Sequence, residues 1–233
     1  MRTHFLPYYN ERPLPVDTLV LHCSAHDTDE MIAVLEEKEL SAHYIIGLKG
    51  DIIQLVPENK RAWHAGISSW RKYDNLNHNS IGIEISSLSM GQEAYNERQL
   101  ASVESLCREI IDRHHIPARN VVGHSDIAPE RKPDPGCAFP WQALAEKGIG
   151  LWYDLTEADE VSENNMLLLL QKIGYNISNP AAAMYAFCRH FIPQEIRIEQ
   201  NIHHLLQNPY PQDFVLNEKY LPVLKACCAA YQK

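Results

Sequence analysis

Apolar residues in this chain follow two rhythms, and the change between them falls near residue 160. Before that point, short apolar runs alternate with amphipathic stretches. Thr18-Leu19-Val20-Leu21-His22-Cys23 is a run bounded by polar residues, which predicts a buried strand ending at His22. Met31, Ile32, Leu35 and Leu40 recur among acids and a lysine, predicting a helix over 27–40 with Asp27, Thr28 or Asp29 as N-cap. Two apolar stretches, 43–48 and 51–56, flank Lys49-Gly50 and predict a hairpin. Ser80 to Ser86 reads as another strand, and Asn96 to His114 as a long helix with Leu100, Val103, Leu106, Cys107, Ile110 and Ile111 on one face. Val121-Val122 is expected to be the last strand.

The later segment is helical in pattern. Met166, Leu167, Leu170 and Ile173 form a stripe closed by Gly174, and 181–190 and 216–231 are further helical stretches. Strands alternating with helices imply an α/β or α+β sheet domain over 1–153. A linker at 154–163 and a small all-α three-helix domain over 164–233 complete the expected organisation.

The segment from Val121 to Gly136 stands apart. It brings His124, Lys132 and Asp134 close together among three prolines and two glycines. Prolines disfavour a helix, so the stretch is expected to be a rigid loop leaving a strand. Loops on rigid scaffolds are where metal and catalytic groups usually sit. His124 and Asp134 suit a borderline metal such as zinc, and Lys132 would set a cation over the same place.

The bulk numbers narrow the options. With 233 residues and 45% apolar composition the chain is an ordinary globular size. A net charge of −9 argues against nucleic acid as a partner. There is no run of about 18 apolar residues, so no integral membrane segment is expected. Met1 to Asn10 shows no signal-peptide core. The six cysteines have neither CxxC spacing nor a disulfide framework, and Cys23, Cys107 and Cys188 fit small buried hydrophobes.

A catalytic zinc needs a third ligand. His22, at a strand end before a polar segment, is the best of the twelve histidines. Glu84 sits among isoleucines, where burial would raise its pKa toward general-base range, unless strand alternation turns it to solvent. Arg61-Ala62-Trp63-His64-Ala65-Gly66, with Trp70 nearby, could wall a groove for sugar or peptide or could be a packed loop. Cys23 beside His22 hints at a thiol hydrolase, yet neighbours on a strand point apart and no GxSxG elbow occurs.

The motifs 19–22, 41–44, 61–66, 79–84, 122–128 and 131–136 occur in the order seen in zinc-dependent N-acetylmuramoyl-L-alanine amidases. Over roughly 15–153 the chain resembles the AmpD/AmiD amidases, related to phage amidase lysozymes and peptidoglycan recognition proteins. The resemblance implies a central mixed β-sheet flanked by helices and one Zn2+ per chain. It implies His22, His124 and Asp134 as ligands, Glu84 as catalytic carboxylate and Lys132 as oxyanion partner. Arg61, Trp63, His64, Ala65 and Trp70 are implied as substrate contacts. The helical tail resembles the peptidoglycan-binding domain of AmiD-type members. The implied partners are peptidoglycan or muropeptides, with a homo-oligomer through the tail as a further expectation. The implied location is the envelope, the periplasm, or outside the cell by a non-Sec route, with cytoplasm as the alternative. The rival reading is a recognition protein that binds the cell wall without cutting it.

Overall fold

The computed structural model describes residues 1–233. Its strands are β1 (Arg2–Thr3), β2 (Tyr9–Glu11), β3 (Thr18–Ser24), β4 (Tyr44–Ile46), β5 (Ile52–Gln54), β6 (Lys60–Ala62), β7 (Ser69–Trp70), β8 (Tyr73–Asp74), β9 (Ser80–Ser86) and β10 (Val121–Gly123). Its α-helices are α1 (Thr28–Glu37), α2 (Glu97–His114), α3 (His124–Ile127), α4 (Trp141–Ala145), α5 (Met166–Ile173), α6 (Pro180–Phe191), α7 (Ile202–Gln207) and α8 (Leu221–Gln232). Six strands make one mixed sheet in the order β1-β5-β4-β9-β3-β10, with only β4 and β5 antiparallel. No helix is long and apolar enough to cross a membrane.

The helix starts follow from local chemistry. Asp27 caps α1, its carboxylate accepting from the Asp29 and Glu30 amides while Glu30 reaches back to the Asp27 amide. Asn96 and Gln99 form the same reciprocal cap on α2. Gly50 turns the β4–β5 hairpin at φ +80°, a left-handed value that suits glycine.

Both faces of the sheet are covered, as a largely parallel sheet requires. Leu19, Leu21 and Cys23 of β3, with Ile81, Ile83 and Ile85 of β9, pack against Val103, Leu106, Cys107 and Ile110 of α2. Val20 and Val122 point the other way. They share a core with Leu169 and Leu170 of α5, Phe187 of α6, and Leu224 and Cys227 of α8. The helical tail therefore forms the second layer of the sheet domain. Cys23, Cys107 and Cys188 are buried free thiols, as their patterns suggest.

Three expectations need correction. The stretch after β10 opens with a helical turn, α3, because its first proline is Pro129 and residues 124–127 retain their amides. The tail has a fourth short helix, α7, capped by Asn201; its six residues are too few to show periodicity. The last helix begins at Leu221 with Pro222 in its first turn, five residues later than its apolar pattern indicated.

Trp70 is also not a groove wall. It is 1% exposed, stands edge-on to Tyr175 and Tyr231 at 5.1 and 6.2 Å, and its indole N–H donates to the Arg119 carbonyl at 3.2 Å. Its size and one polar atom suit a seam between layers. Trp70→Ala should cost about 3–5 kcal/mol of stability, as large core truncations do. Urea unfolding followed by circular dichroism checks this; an unchanged midpoint would return Trp70 to the surface.

Candidate metal and catalytic site

β3 and β9 pair in parallel with His22 opposite Glu84. Both side chains leave the sheet on the face that carries Val20, Ser80 and Gly82. β10 pairs with β3 on its other side and delivers His124 as the first residue of α3. Asp134 returns to the same point because the Ser125 amide donates to the Asp134 carbonyl at 2.8 Å. From the far side, the Tyr95 hydroxyl donates to the Pro135 carbonyl at 2.7 Å. His22 is thus brought to His124 and Asp134, over a hundred residues away in sequence, by adjacent strands and one loop.

His22 Nδ1 lies 2.8 Å from His124 Nδ1, and Asp134 Oδ2 lies 3.4 and 3.0 Å from those two nitrogens. All three side chains are buried. The protonation of the rings follows from their outer partners. His124 Nε2 faces the Ala65 carbonyl at 3.2 Å and donates to it, so in the neutral ring Nδ1 is bare. His22 Nε2 faces His64 Nδ1 at 2.9 Å, and His64 Nε2 faces Ser80 Oγ at 3.2 Å. The Ser80 hydroxyl donates to the Leu76 carbonyl at 2.5 Å, so it accepts from His64 Nε2–H. His64 Nδ1 then accepts from His22 Nε2–H, and His22 Nδ1 is also bare. Two nitrogen lone pairs and a carboxylate oxygen converge, an arrangement that demands a positive charge at its centre.

Electrostatics agree. Burial, and then His124, push His22 down to about 4, so its ring is neutral at pH 7. Burial likewise holds His64 well below the usual histidine range, with His22 and His43 adding to it. Burial alone would raise the Asp134 carboxyl, but His124 and His22 outweigh it and hold it well below the usual carboxylate range.

Glu84 behaves in the opposite way. Burial, with Asp134 adding to it, pushes its carboxyl up to about 8, against the pull of Lys132. Its Oε2 is buried with no hydrogen-bond partner. A buried carboxylate oxygen without a partner costs free energy, and groups with such shifted pKa values cluster at functional sites. Lys132 reaches the same site from the loop before Asp134 and is half-buried.

The substrate-contact expectations divide. Trp63 lines a groove of about 680 Å³ that also includes Gly66, Ile67, Asn75, Asn77, Glu130 and Arg131. The Arg61 guanidinium lies 4.3 Å over the Trp63 ring. His64 and Ala65, expected to contact substrate, lie against the His-His-Asp cluster: His64 faces His22, and the Ala65 carbonyl faces His124. Trp70 lies in the core described above. Gly82 explains how His64 fits, since a Cβ there would come within 2.5 Å of the His64 ring.

Sequence reasoning missed Ser80, Asn77 and Arg131 as individual residues. Asn77 Oδ1 accepts the amides of His64 and Ala65 at 3.0 and 2.8 Å, fixing that turn. Arg131 donates to the carbonyls of Ala65 and Ile67. Their polarity in buried or loop positions carried no periodic signal, and only the fold shows what they hold.

Comparison with known proteins adds an independent line. A family described as N-acetylmuramoyl-L-alanine amidase matches residues 12–137. N-acetylmuramoyl-L-alanine amidase AmiD of Escherichia coli K12 is 38% identical over 208 residues, spanning 76% of this chain and 75% of that protein. The structure of AmiD from E. coli, in complex with the substrate anhydro-N-acetylmuramic acid-L-Ala-D-γ-Glu-L-Lys, superposes with TM-score 0.74 and 33% identity, covering 91% of this chain and 88% of that one. AmpDH3 of Pseudomonas aeruginosa, in complex with anhydromuramic pentapeptide, gives TM-score 0.75 and 32% identity over 96% and 94% of the two chains. With its mixed sheet, helical tail and buried His-His-Asp cluster, the chain belongs to the N-acetylmuramoyl-L-alanine amidase family.

Proposed function

We propose that this amidase hydrolyses the bond joining the lactyl group of N-acetylmuramic acid, or of its anhydro form, to L-alanine, using one zinc ion per chain. The observation that carries the reading is the convergence of His22 Nδ1, His124 Nδ1 and Asp134 Oδ2, all within 4.8 Å of one another. Tetrahedral bonds of about 2.0–2.2 Å set neighbouring ligand atoms about 3.3 Å apart, close to the 2.8–3.4 Å found. Two imidazoles and one carboxylate are a donor set suited to zinc, with a fourth position left for the reaction. The anhydromuramyl peptides bound in AmiD and AmpDH3 support soluble muropeptides as the substrate class.

When bound, zinc supplies a Lewis acid that acidifies water and polarises a carbonyl. The chain's own residues do the rest. Glu84, unpaired and opposite His22 on the neighbouring strand, takes the proton of the attacking water and later gives it to the leaving amine. Lys132 faces the oxygen that gains negative charge, a contribution on the order of 3–4 kcal/mol for one such donor. The His64–Ser80 relay keeps the lone pair of His22 directed at the metal, as outer partners of metal-binding histidines do. The groove beside Trp63 receives the peptide stem.

Four outcomes test this reading. Purified muropeptides digested with the protein should release free stem peptides by mass spectrometry, and a chelator should stop the release; products still carrying both muramic acid and peptide would sink the proposal. Asp134→Ala should abolish zinc retention measured by elemental analysis. Gly82→Ala should displace His64 and weaken zinc binding about 10–100-fold, the range for lost outer partners, as read by chelator competition.

Glu84→Gln should keep zinc yet slow turnover about 10²–10⁴-fold. It should also change metal-free stability. A raised carboxyl pKa means that the folded form binds protons more tightly than the unfolded one. Its contribution is complete below the ordinary value of 4.5 and is lost as pH rises through about 8. At pH 9 Glu84→Gln should therefore melt above the parent protein, by at least the ~2–4 °C that about 1 kcal/mol represents in a chain of this size. Calorimetry of the metal-free proteins checks it.

A further inference from the structure

We propose that the helical tail is a positioning element of the metal centre, with Tyr175 and His190 gripping Asp126 and thereby fixing α3. The inference rests on the metal reading of His22, His124 and Asp134. It goes further, because it gives the tail a part in metal binding in addition to any hold on the cell wall.

Asp126 is 1% exposed and sits inside α3, two residues after His124. One carboxylate oxygen, Oδ2, accepts the Gly123 amide at 2.7 Å and His190 Nδ1 at 2.8 Å. The other, Oδ1, accepts the Tyr175 hydroxyl at 2.7 Å. The first of these bonds is local to the metal loop. The other two come from the tail, 49 and 64 residues away in sequence. A buried carboxylate with one partner is undersatisfied and free to turn, whereas three donors fix it.

The donors are themselves fixed. The His190 ring lies between Trp141 and Phe191, stacked on them at 4.0 and 4.1 Å with planes within about 15°. Tyr175 packs edge-on to Trp70 and Phe187. It follows Gly174, whose φ of +146° turns the chain from α5.

The grip reaches the ligands through two backbone contacts. Asp126 holds the Gly123 amide, and so the peptide between Val122 and Gly123, one residue before His124. Two residues further on, the Ser125 amide in α3 donates to the Asp134 carbonyl. A tilt of α3 therefore moves His124 and Asp134 together. His22, on β3, would stay in place, and the spacing among the three ligand atoms would open. Tyr175 and His190 touch neither metal nor substrate and act only by positioning.

The test uses the full chain and zinc itself. Chelator-competition titration gives the zinc Kd of the parent, Tyr175→Phe, His190→Gln and Leu224→Val, and calorimetry gives the melting midpoint of each metal-free form. Leu224 is buried in the tail core and serves as a control for loosened packing. Tyr175→Phe and His190→Gln are expected to weaken zinc binding about tenfold, the lower end of the range for outer partners. Leu224→Val, though less stable, should stay within about twofold of the parent. Unchanged zinc Kd in the first two, or an equal loss in Leu224→Val, overturns the positioning role while leaving the metal reading intact. A parent protein that does not bind zinc overturns both. If His190→Gln does not fold, Tyr175→Phe, which removes a single oxygen atom, decides alone.

Discussion

Two imidazole lone pairs and a carboxylate oxygen converge within hydrogen-bonding distance in the interior, and most of the architecture serves to keep them there. Such a cluster repels itself unless a cation joins it. The fold opposes that repulsion from three directions. β3 and β9 hold His22 in a seven-residue parallel register. The Ala65 carbonyl and the His64–Ser80 relay favour the tautomers that leave both Nδ1 atoms facing Asp134. The Ser125 amide and Tyr95 hydroxyl pin the Asp134 loop from two sides. Each support takes up a polar group that would otherwise need water. The site is therefore organised ahead of any ligand, which is what precise metal chemistry requires.

Glu84 shows where the same design works against stability. Glu84 Oε2 is buried and has no hydrogen-bond partner. Its place on β9 follows from the register that also sets His22, and the residue is half-buried while that oxygen is covered. A glutamine or an apolar residue would fit the isoleucine-rich strand more comfortably. An ionisable group there is what the proton transfer proposed for Glu84 would use. The local conflict between sequence and environment is itself the functional signal.

That signal was legible in the chain, and other parts were not. The run ending at His22, the isoleucines around Glu84 and the prolines after His124 each break an expected pattern, so they can be read without a fold. The β4–β5 hairpin and the caps Asp27 and Asn96 were equally plain, because their physics is local. Ser80, Asn77 and Arg131 were not legible individually: a serine, an asparagine or an arginine has many uses, and only three-dimensional contacts select one. Trp63, His64, Ala65 and Trp70 were grouped by proximity in sequence, but the turn fixed by Asn77 sends them to different places. α3 was missed because proline was given influence over residues that precede it by several positions.

The tail illustrates a further reason that sequence stops short. Its apolar stripes are those of any small helical domain, and nothing in their spacing says what they cover. Yet a sheet made mostly of parallel strands has two apolar faces, and α2 can cover only one. Val20 and Val122 need a second layer, and α5, α6 and α8 provide it. Once that layer is in place, Trp70, Tyr175 and His190 lie at the seam, next to the strand ends where α/β sheets place their ligands. A layer packed there cannot be indifferent to the site. The direct link between this layer and α3 is the buried Asp126, which Tyr175 and His190 hold from the tail.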